Sequence, residues 1–378
     1  MRLTAEQRSF TREVRAFCAK ECGTPAQRDA LTQGGTDANS PELLRRFGDL
    51  GWLGISLPAQ DGGVGGSFVD ECLFIEEASR GQAMLDAYCT GLTAAQTYLH
   101  WGDAEQRRTV VSTLCAGGIE AIALSEPGAG SDLGSARIAA HLDGDDYVIN
   151  GQKTWTSAAH LAEHVLVLTR TDTSGGKHSG LTLLMVPADS AGLEIRGIET
   201  MGARVVNDLW FTDVRVPASA VVGSAGNAWK QLMRGLGVER VIIAAMQVGA
   251  AGRSLDDLLR YVGEREQFGH TIGSFQAVRH RIADLATEVA HCRAFLYDVA
   301  DRIDAGEESD LATMSSMAKL KSTETAKHVA LEAMQLMGGY GYAREYGMEG
   351  QVRSALAPPI YGGTNEIQRE IIGRSLGL

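Results

Sequence analysis

The chain has 378 residues, 44% of them hydrophobic, and a formal net charge of -12 from 35 Lys and Arg against 47 Asp and Glu. That is enough apolar material for a globular protein of two or three subdomains. No cluster of Lys and Arg interleaved with aromatics offsets the acidic balance, which excludes a nucleic-acid partner, and no run approaches the roughly 18 consecutive apolar residues of a membrane span.

The first thirty residues mix Arg2, Arg8, Arg12 and Arg15 with Glu6, Glu13, Glu21 and Asp29. They hold no apolar stretch of the kind a signal or transit peptide needs, so a cytoplasmic protein is expected. Thr4-Ala5-Glu6-Gln7 has the form of a capping box ahead of Phe10, Val14 and Phe17, and Ser40-Pro41 sets an N-cap and an N1 proline before Leu43 and Leu44. A glycine-rich turn, DGGVGG from Asp61 to Gly66, breaks the helical pattern, which resumes around Leu73 to Ala78. The cysteines, Cys18, Cys22, Cys72, Cys89, Cys115 and Cys292, show neither a CxxC pair nor zinc-type spacing. They read as small buried thiols, and no metal is expected.

From about Gly117 the texture shortens. Asp146-Tyr147-Val148-Ile149 precedes Asn150-Gly151, a strong hairpin signal, and EHVLVLTRTD, GLTLLMVPAD and LWFTDVRVP read as strands closed by polar or proline turns. After Val221 helical periodicity returns. Phe275, Val278, Ile282, Leu285, Val289, Cys292, Leu296, Val299 and Ile303 recur at spacings of 3 and 4, which predicts one apolar seam on a helix about four heptads long. Residues 228–262 and 307–337 supply further proline-free helical stretches. The predicted fold is α+β: an N-terminal all-α domain over 1–117, a middle β domain over 118–222, and a C-terminal helical bundle over 223–378.

Neither GxGxxG nor GxxxxGK[ST] occurs, so a Rossmann dinucleotide fold and a P-loop are both unsupported. The segment LSEPGAGSD, Leu124 to Asp132, instead offers the hydroxyls of Ser125 and Ser131 around a turn of small residues. Backbone N–H groups can approach a ligand closely there. NGQKTWTSAAH then places Trp155 beside two hydroxyl residues.

These two segments, with REQFG at Arg265 to Gly269, Gln276 eleven residues on from Arg265, QLMGGYGY at Gln335 to Tyr342, and YGGTNEIQR, resemble in order and spacing the motifs of the acyl-CoA dehydrogenase family of FAD flavoproteins. The resemblance covers essentially the whole chain and implies an N-terminal helical domain, a middle β domain and a C-terminal four-helix bundle. It implies that Ser125 and Ser131 face the flavin and its pyrophosphate, with Ser131 also near the acyl thioester arm, and that Trp155 and Ser157 lie against the isoalloxazine. The family commonly has Trp-Ile-Thr where this chain has Trp155-Thr156-Ser157, and Ser157 keeps the hydroxyl. The family assembles as a dimer of dimers. A homotetramer is therefore implied, in which Arg265, Gln276, Gln335, Gly338 and Gly339 reach a neighbouring subunit's cofactor while Thr364, Asn365 and Glu366 close over it. The implied partners are an acyl-CoA or acyl-carrier-protein thioester as substrate and an electron-transfer flavoprotein as acceptor.

One departure concerns the chemistry. Dehydrogenating an acyl thioester requires a carboxylate to take the α-proton, yet Gly362, beside Gly363, stands where most of the family carries that glutamate. In the long-chain and isovaleryl-type members the glutamate lies on a bundle helix immediately before an arginine. GLGVERVIIAA supplies Glu239-Arg240 in that setting, with Val238, Val241, Ile242 and Ile243 as apolar neighbours. A carboxylate so placed needs a reason. Glu239 is the expected base and Arg240 the expected contact to substrate or carrier.

Other readings remain open at this level. His160-Leu161-Ala162-Glu163-His164 is an HxxEH string of zinc-peptidase type, although Val165 to Leu168 continue as strand rather than helix. Oxygen-using flavin oxidases and monooxygenases share the implied scaffold, but they need no α-proton base. A binding-only subunit would lack the flavin contacts as well as the base, and Ser125, Trp155, Arg265 and Gln335 are all present.

Overall fold

In a computed structural model that describes residues 2–307 and 309–378, helices lead the chain: α1 (Ala5–Glu21), α2 (Pro25–Leu31), α3 (Pro41–Asp49), α4 (Phe68–Arg80), α5 (Asp86–Trp101) and α6 (Ala104–Cys115). Strands follow: β1 (Glu120–Ala123), β2 (Ala139–Asp143), β3 (Asp146–Ser157), β4 (His164–Arg170), β5 (Leu181–Pro187), β6 (Leu193–Gly197) and β7 (Val206–Pro217). The remainder is helical, with α7 (Ala228–Glu264), α8 (Gln276–Asp304), α9 (Leu311–Met337), α10 (Gly339–Tyr342), α11 (Met348–Leu356) and α12 (Asn365–Ser375). A small hairpin, β8 (Glu266–Gln267) with β9 (His270–Thr271), separates α7 from α8. Of the helical stretch expected over 307–337, residue 308 lies outside the described residues.

The capping box forms: the Gln7 amide donates to Thr4 Oγ1 at 3.1 Å, and Gln7 Oε1 accepts from the Thr4 amide at 3.0 Å. Ser40 caps α3 through Leu43 N at 3.1 Å.

The elements divide into two units, one comprising residues 32–66 and 84–239, the other the remaining segments up to 31, 67–83 and 240–378. The first is built on a sheet of order β1-β4-β2-β3-β7-β6, with β5 paired to β4. β4 and β5 are buried along nearly their whole length, and their central residues, Val165 to Leu168 and Leu183 to Val186, are continuously apolar, as strands covered on both faces must be. Ile149, Val165, Val167, Leu184, Val186, Leu209, Phe211 and Val214 form the unit's core. Helix α5 lies against β1 and α6, and Gly91 permits the approach: a Cβ there would press on the Leu114 side chain.

The hairpin expected at Asn150-Gly151 is not a turn. β3 runs through both residues, and the chain reverses instead at Gly144 (φ 63°) and Asp145, between β2 and β3. Asn150 bonds across to β7, its Nδ2 donating to Asp213 Oδ1 and its Oδ1 accepting from the Asp213 amide, both at 2.9 Å. The register shifts between Ile149 and Gly151, where φ is 139° and a Cβ would lie 2.9 Å from Ile138. The dipeptide's tolerance of unusual φ serves a bulge here.

In the second unit the predicted seam is realised on α8. Leu285, Cys292, Leu296 and Val299 are buried, and Val278, Ile282 and Val289 pack against a core of Leu258, Val329, Ala333 and Met348. Carboxylates then fix how the helices meet. Asp304, the last residue of α8, accepts from the Phe68 and Val69 amides at 2.6 and 3.0 Å, which caps the start of α4. Buried Glu76 of α4 accepts from Arg293 Nε at 2.6 Å and from the Tyr297 hydroxyl of α8. Arg80 of α4 grips Asp256 of α7 with two bonds of 2.7 Å.

Candidate active site

In the sheet unit the site residues gather on β3 and the loop that follows β1. The Thr154 amide donates to Ser125 O at 3.0 Å, which lays the SEPGAGSD loop along the strand that carries Trp155. Trp155 is a non-glycine residue at φ 59°, within the register shift between Lys153 and Thr156. The bulge turns its indole outward, 58% exposed, while Lys153 and Thr156 on either side are buried. Ser125 and Ser157 are half-buried and Ser131 is exposed. A Cβ at Gly128 or Gly130 would meet nothing within 4 Å, so this face of the loop is open to a ligand.

Beneath the loop lies a pair that sequence reasoning missed. Lys153 Nζ, fully buried, donates to Leu124 O at 2.7 Å and to Glu126 Oε1 at 3.0 Å. Burial pulls the Lys153 ammonium down to about 8, against the opposing attraction of Glu126. The same carboxylate accepts the Arg137 amide at 2.8 Å and the Ile138 amide at 3.0 Å.

Glu239 lies on α7, one turn beyond Gly235, where a Cβ would stand 3.5 Å from Thr97 Oγ1 of α5. Residues four apart share a helix face. Glu239 is half-buried, Arg240 is buried, and Val241, Ile242, Ile243, Ala244 and Ala245 follow as core.

In the helical unit, Arg265, Gly338 and Gly339 line one cavity of about 500 Å³ together with Tyr261, Gln267 and Tyr340. The Arg265 guanidinium lies 5.3 Å from the centre of the Tyr340 ring. Gln335, one turn back on α9, and Gln276, the first residue of α8, are both exposed. Gly338 takes φ 62° with open space where a Cβ would stand, so the backbone presents itself bare to the cavity.

The stretch before α12 is held from below. Gly362 and Gly363 adopt φ 63° and 76°. Gln368 Nε2 donates to their carbonyls at 3.1 and 2.9 Å, and fully buried Lys319 donates to Gly363 O at 2.8 Å and Asn365 Oδ1 at 3.1 Å. Thr323 Oγ1 donates to the same Asn365 oxygen at 3.2 Å. Asn365, predicted to close over the cofactor, therefore has its side-chain oxygen turned to the protein. Thr364 caps α12 through Ile367 N at 3.2 Å. Glu366 is exposed, its carboxyl held below the usual range by its own backbone N–H and by the Thr364 hydroxyl.

The HxxEH string does not form a metal site. His160 Nε2 meets Asp37 at 2.7 Å, whereas His164, at the start of β4, meets Glu120 at 3.0 Å and is raised by that hydrogen bond. Among the described residues no group of three or more His, Cys, Asp or Glu could hold a metal ion.

The sheet unit thus offers an exposed indole beside hydroxyls and an open glycine loop, and the helical unit offers an arginine-lined cavity with bare glycine backbone. The first surface suits a planar aromatic ring and the second, taken by itself, a phosphate-bearing group, the two kinds of chemistry that a flavin nucleotide such as FAD presents in a flavin-dependent oxidoreductase.

Comparison with known proteins says which. Residues 4–118, 121–214 and 226–377 match the N-terminal, middle and C-terminal domains of acyl-CoA dehydrogenase. The chain belongs to the acyl-CoA dehydrogenase family, which is FAD-dependent. It is 35% identical to the Bacillus subtilis (strain 168) protein described as "Probable acyl-CoA dehydrogenase YngJ", over 99% of this chain and 98% of that one. It is 33% identical to the mitochondrial long-chain specific acyl-CoA dehydrogenase of Sus scrofa, over 89% and 79%. The crystal structure of an acyl-CoA dehydrogenase from Geobacillus kaustophilus matches with a TM-score of 0.92 and 34% identity, covering 100% of this chain and 99% of that one. Among the described residues no helix is long and apolar enough to cross a membrane.

Proposed function

We propose that the protein oxidises an acyl-CoA to its trans-2-enoyl thioester, with Glu239 taking the α-proton. The observation that carries this reading is that the chain has a half-buried Glu239 in an apolar stretch of α7 and, at position 362, a glycine in left-handed backbone instead of a carboxylate. FAD, when bound, supplies the acceptor for the β-hydrogen, which leaves as hydride. The chain's own part is positional and acid–base: Trp155, Ser125, Ser131 and Ser157 form the surface for the flavin, and Arg265, Gln276, Gln335, Gly338 and Gly339 the surface for the nucleotide end. Thr364 and Glu366 close the cofactor site, Asn365 anchors that turn from below through Lys319 and Thr323, Arg240 meets the substrate or its carrier, and Glu239 holds the abstracted proton. Phe268, 92% exposed at φ 54° on the β8–β9 turn, and Tyr342, 80% exposed, support an interface in a homotetramer. An electron-transfer flavoprotein would be the partner that accepts the two electrons. In this reading the boundary at 117/118 parts the N-terminal helices from the flavin-facing sheet segment, and that at 222/223 parts the sheet segment from the nucleotide-facing helical segment.

Glycines at 362 and 363 leave that wall of the acyl site without side chains, so long or branched chains should be accepted. Loss of flavin absorbance without air, followed over a panel of straight and branched acyl-CoA and acyl-carrier-protein thioesters, tests this. Fastest bleaching by long or branched acyl-CoA is expected. Strict preference for the butanoyl thioester would contradict the open wall, and preference for the carrier-protein form would change the substrate class. Oxygen consumption coupled to oxidation of NADH or reduced flavin, with no bleaching by any thioester, would favour the oxidase reading.

A further inference from the structure

The pair Lys153–Glu126 joins two stretches that the flavin reading uses separately. Glu126 follows Ser125 in the loop, and Lys153 stands two residues before Trp155 on β3. The Glu126 carboxylate is tied at three points: to Lys153 Nζ at 3.0 Å, to the Arg137 amide at 2.9 and 2.8 Å from its two oxygens, and to the Ile138 amide at 3.0 Å. The backbone of Glu126 also exchanges both hydrogen bonds with Ala129, each at 3.0 Å, so orienting this one residue orients the turn of the glycine loop. Lys153 completes the junction through Leu124 O at 2.7 Å, and the adjacent Thr154 amide takes Ser125 O at 3.0 Å.

Charges this deeply buried are a poor means of stabilising a fold, because their desolvation offsets most of the attraction and apolar side chains of similar volume do as well. What an apolar pair would not do is fix direction. Lys153 and Thr156 keep their partners on β7, Leu209 and Asn207, while Trp155 between them is thrown out in left-handed backbone. Such a conformation persists only where its surroundings over-determine it.

We infer that Lys153 and Glu126 are positioning residues that lock the SEPGAGSD loop against the Trp155 bulge and so preform the flavin surface before the cofactor arrives. This rests on the flavin reading above. Neither residue need touch the cofactor, since both act through Ser125, Gly128 to Gly130 and Trp155.

The test is FAD binding by apoprotein, read from flavin fluorescence, alongside the thermal midpoint of the same apoprotein. The variants are Lys153→Met, Glu126→Gln and the double variant Lys153→Met/Glu126→Leu. A charge-assisted buried hydrogen bond lost from a preformed site should weaken FAD binding by about 10- to 100-fold in each single variant. The double variant should recover most of the thermal midpoint yet bind FAD no better than the singles, because an apolar pair restores packing but not direction. Should Lys153→Met fail to fold, Glu126→Gln, which keeps the volume and one acceptor oxygen, carries the same reading. Variants that lose thermal stability but bind FAD with the parent's affinity would reduce the pair to a structural role and overturn the inference. Apoprotein of the unaltered sequence that takes up no FAD would instead sink the flavin reading itself.

Discussion

Replacing Glu239 by glutamine should lower the rate of anaerobic flavin reduction by acyl-CoA by about 10² to 10⁴-fold, the usual loss when a general base is removed, and leave FAD content unchanged. Glutamine keeps the shape of the half-buried side chain, so α7 and its buried run from Arg240 to Ala245 have no cause to move. Adding Gly362→Glu to that variant puts a carboxylate where most of the family has one, and part of the activity should return, for short acyl chains first. The rescue is held down by two effects. Position 362 has φ 63°, which costs a residue with a side chain roughly 1–2 kcal/mol, and a base about 1 Å out of place can itself cost about 10²-fold. Stopped-flow traces of flavin absorbance measure both variants. A Glu239→Gln protein within about tenfold of the parent would move the base elsewhere, since a general base contributes at least about 10²-fold.

Arg265→Ala should have the second largest effect, on the cofactor rather than the chemistry. The guanidinium lines the cavity of about 500 Å³ with Gly338, Gly339 and Tyr340, and it lies 5.3 Å from the Tyr340 ring centre. A charge-assisted contact to a phosphate is worth about 10- to 100-fold in affinity, so the purified variant should carry substoichiometric FAD. If the residue acts across a subunit interface, the tetramer should weaken with it. Flavin-to-protein absorbance ratio and light scattering measure the two together. Full FAD content in a stable monomer would contradict the assignment.

Features set by short-range rules could be read directly from the residues. The Thr4–Gln7 capping box, the Ser40 cap, the strands around Val165, Leu183 and Leu209, and the apolar seam of α8 depend on neighbours a few positions away. Asn150-Gly151 misled because a bulge uses the same backbone freedom as a hairpin turn, and only pairing with Asp213 and contact with Ile138 distinguish the two. Lys153 and Lys319 were invisible as buried residues, since a lysine in a strand or helix ordinarily points to water and only distant carbonyls and carboxylates draw these two inward. The partition of α1, α2 and α4 with the C-terminal helices, through contacts such as Arg80–Asp256 and Phe68–Asp304, is likewise non-local. Glu239 was legible as a candidate because the resemblance says a base must exist and its apolar neighbours mark a covered helix face.

Loss of an α-proton and a β-hydride from one acyl-CoA would make flavin reduction sensitive to isotopes at both carbons. The unaltered protein, loaded with FAD and mixed without air with the acyl-CoA that bleaches it fastest, is compared using substrate deuterated at C2, at C3, or at neither. Slower bleaching with deuterium at C2 and at C3, with one 2-enoyl-CoA formed per flavin reduced, is the predicted result. Bleaching indifferent to deuterium at both carbons, or no bleaching by any acyl-CoA, would contradict it.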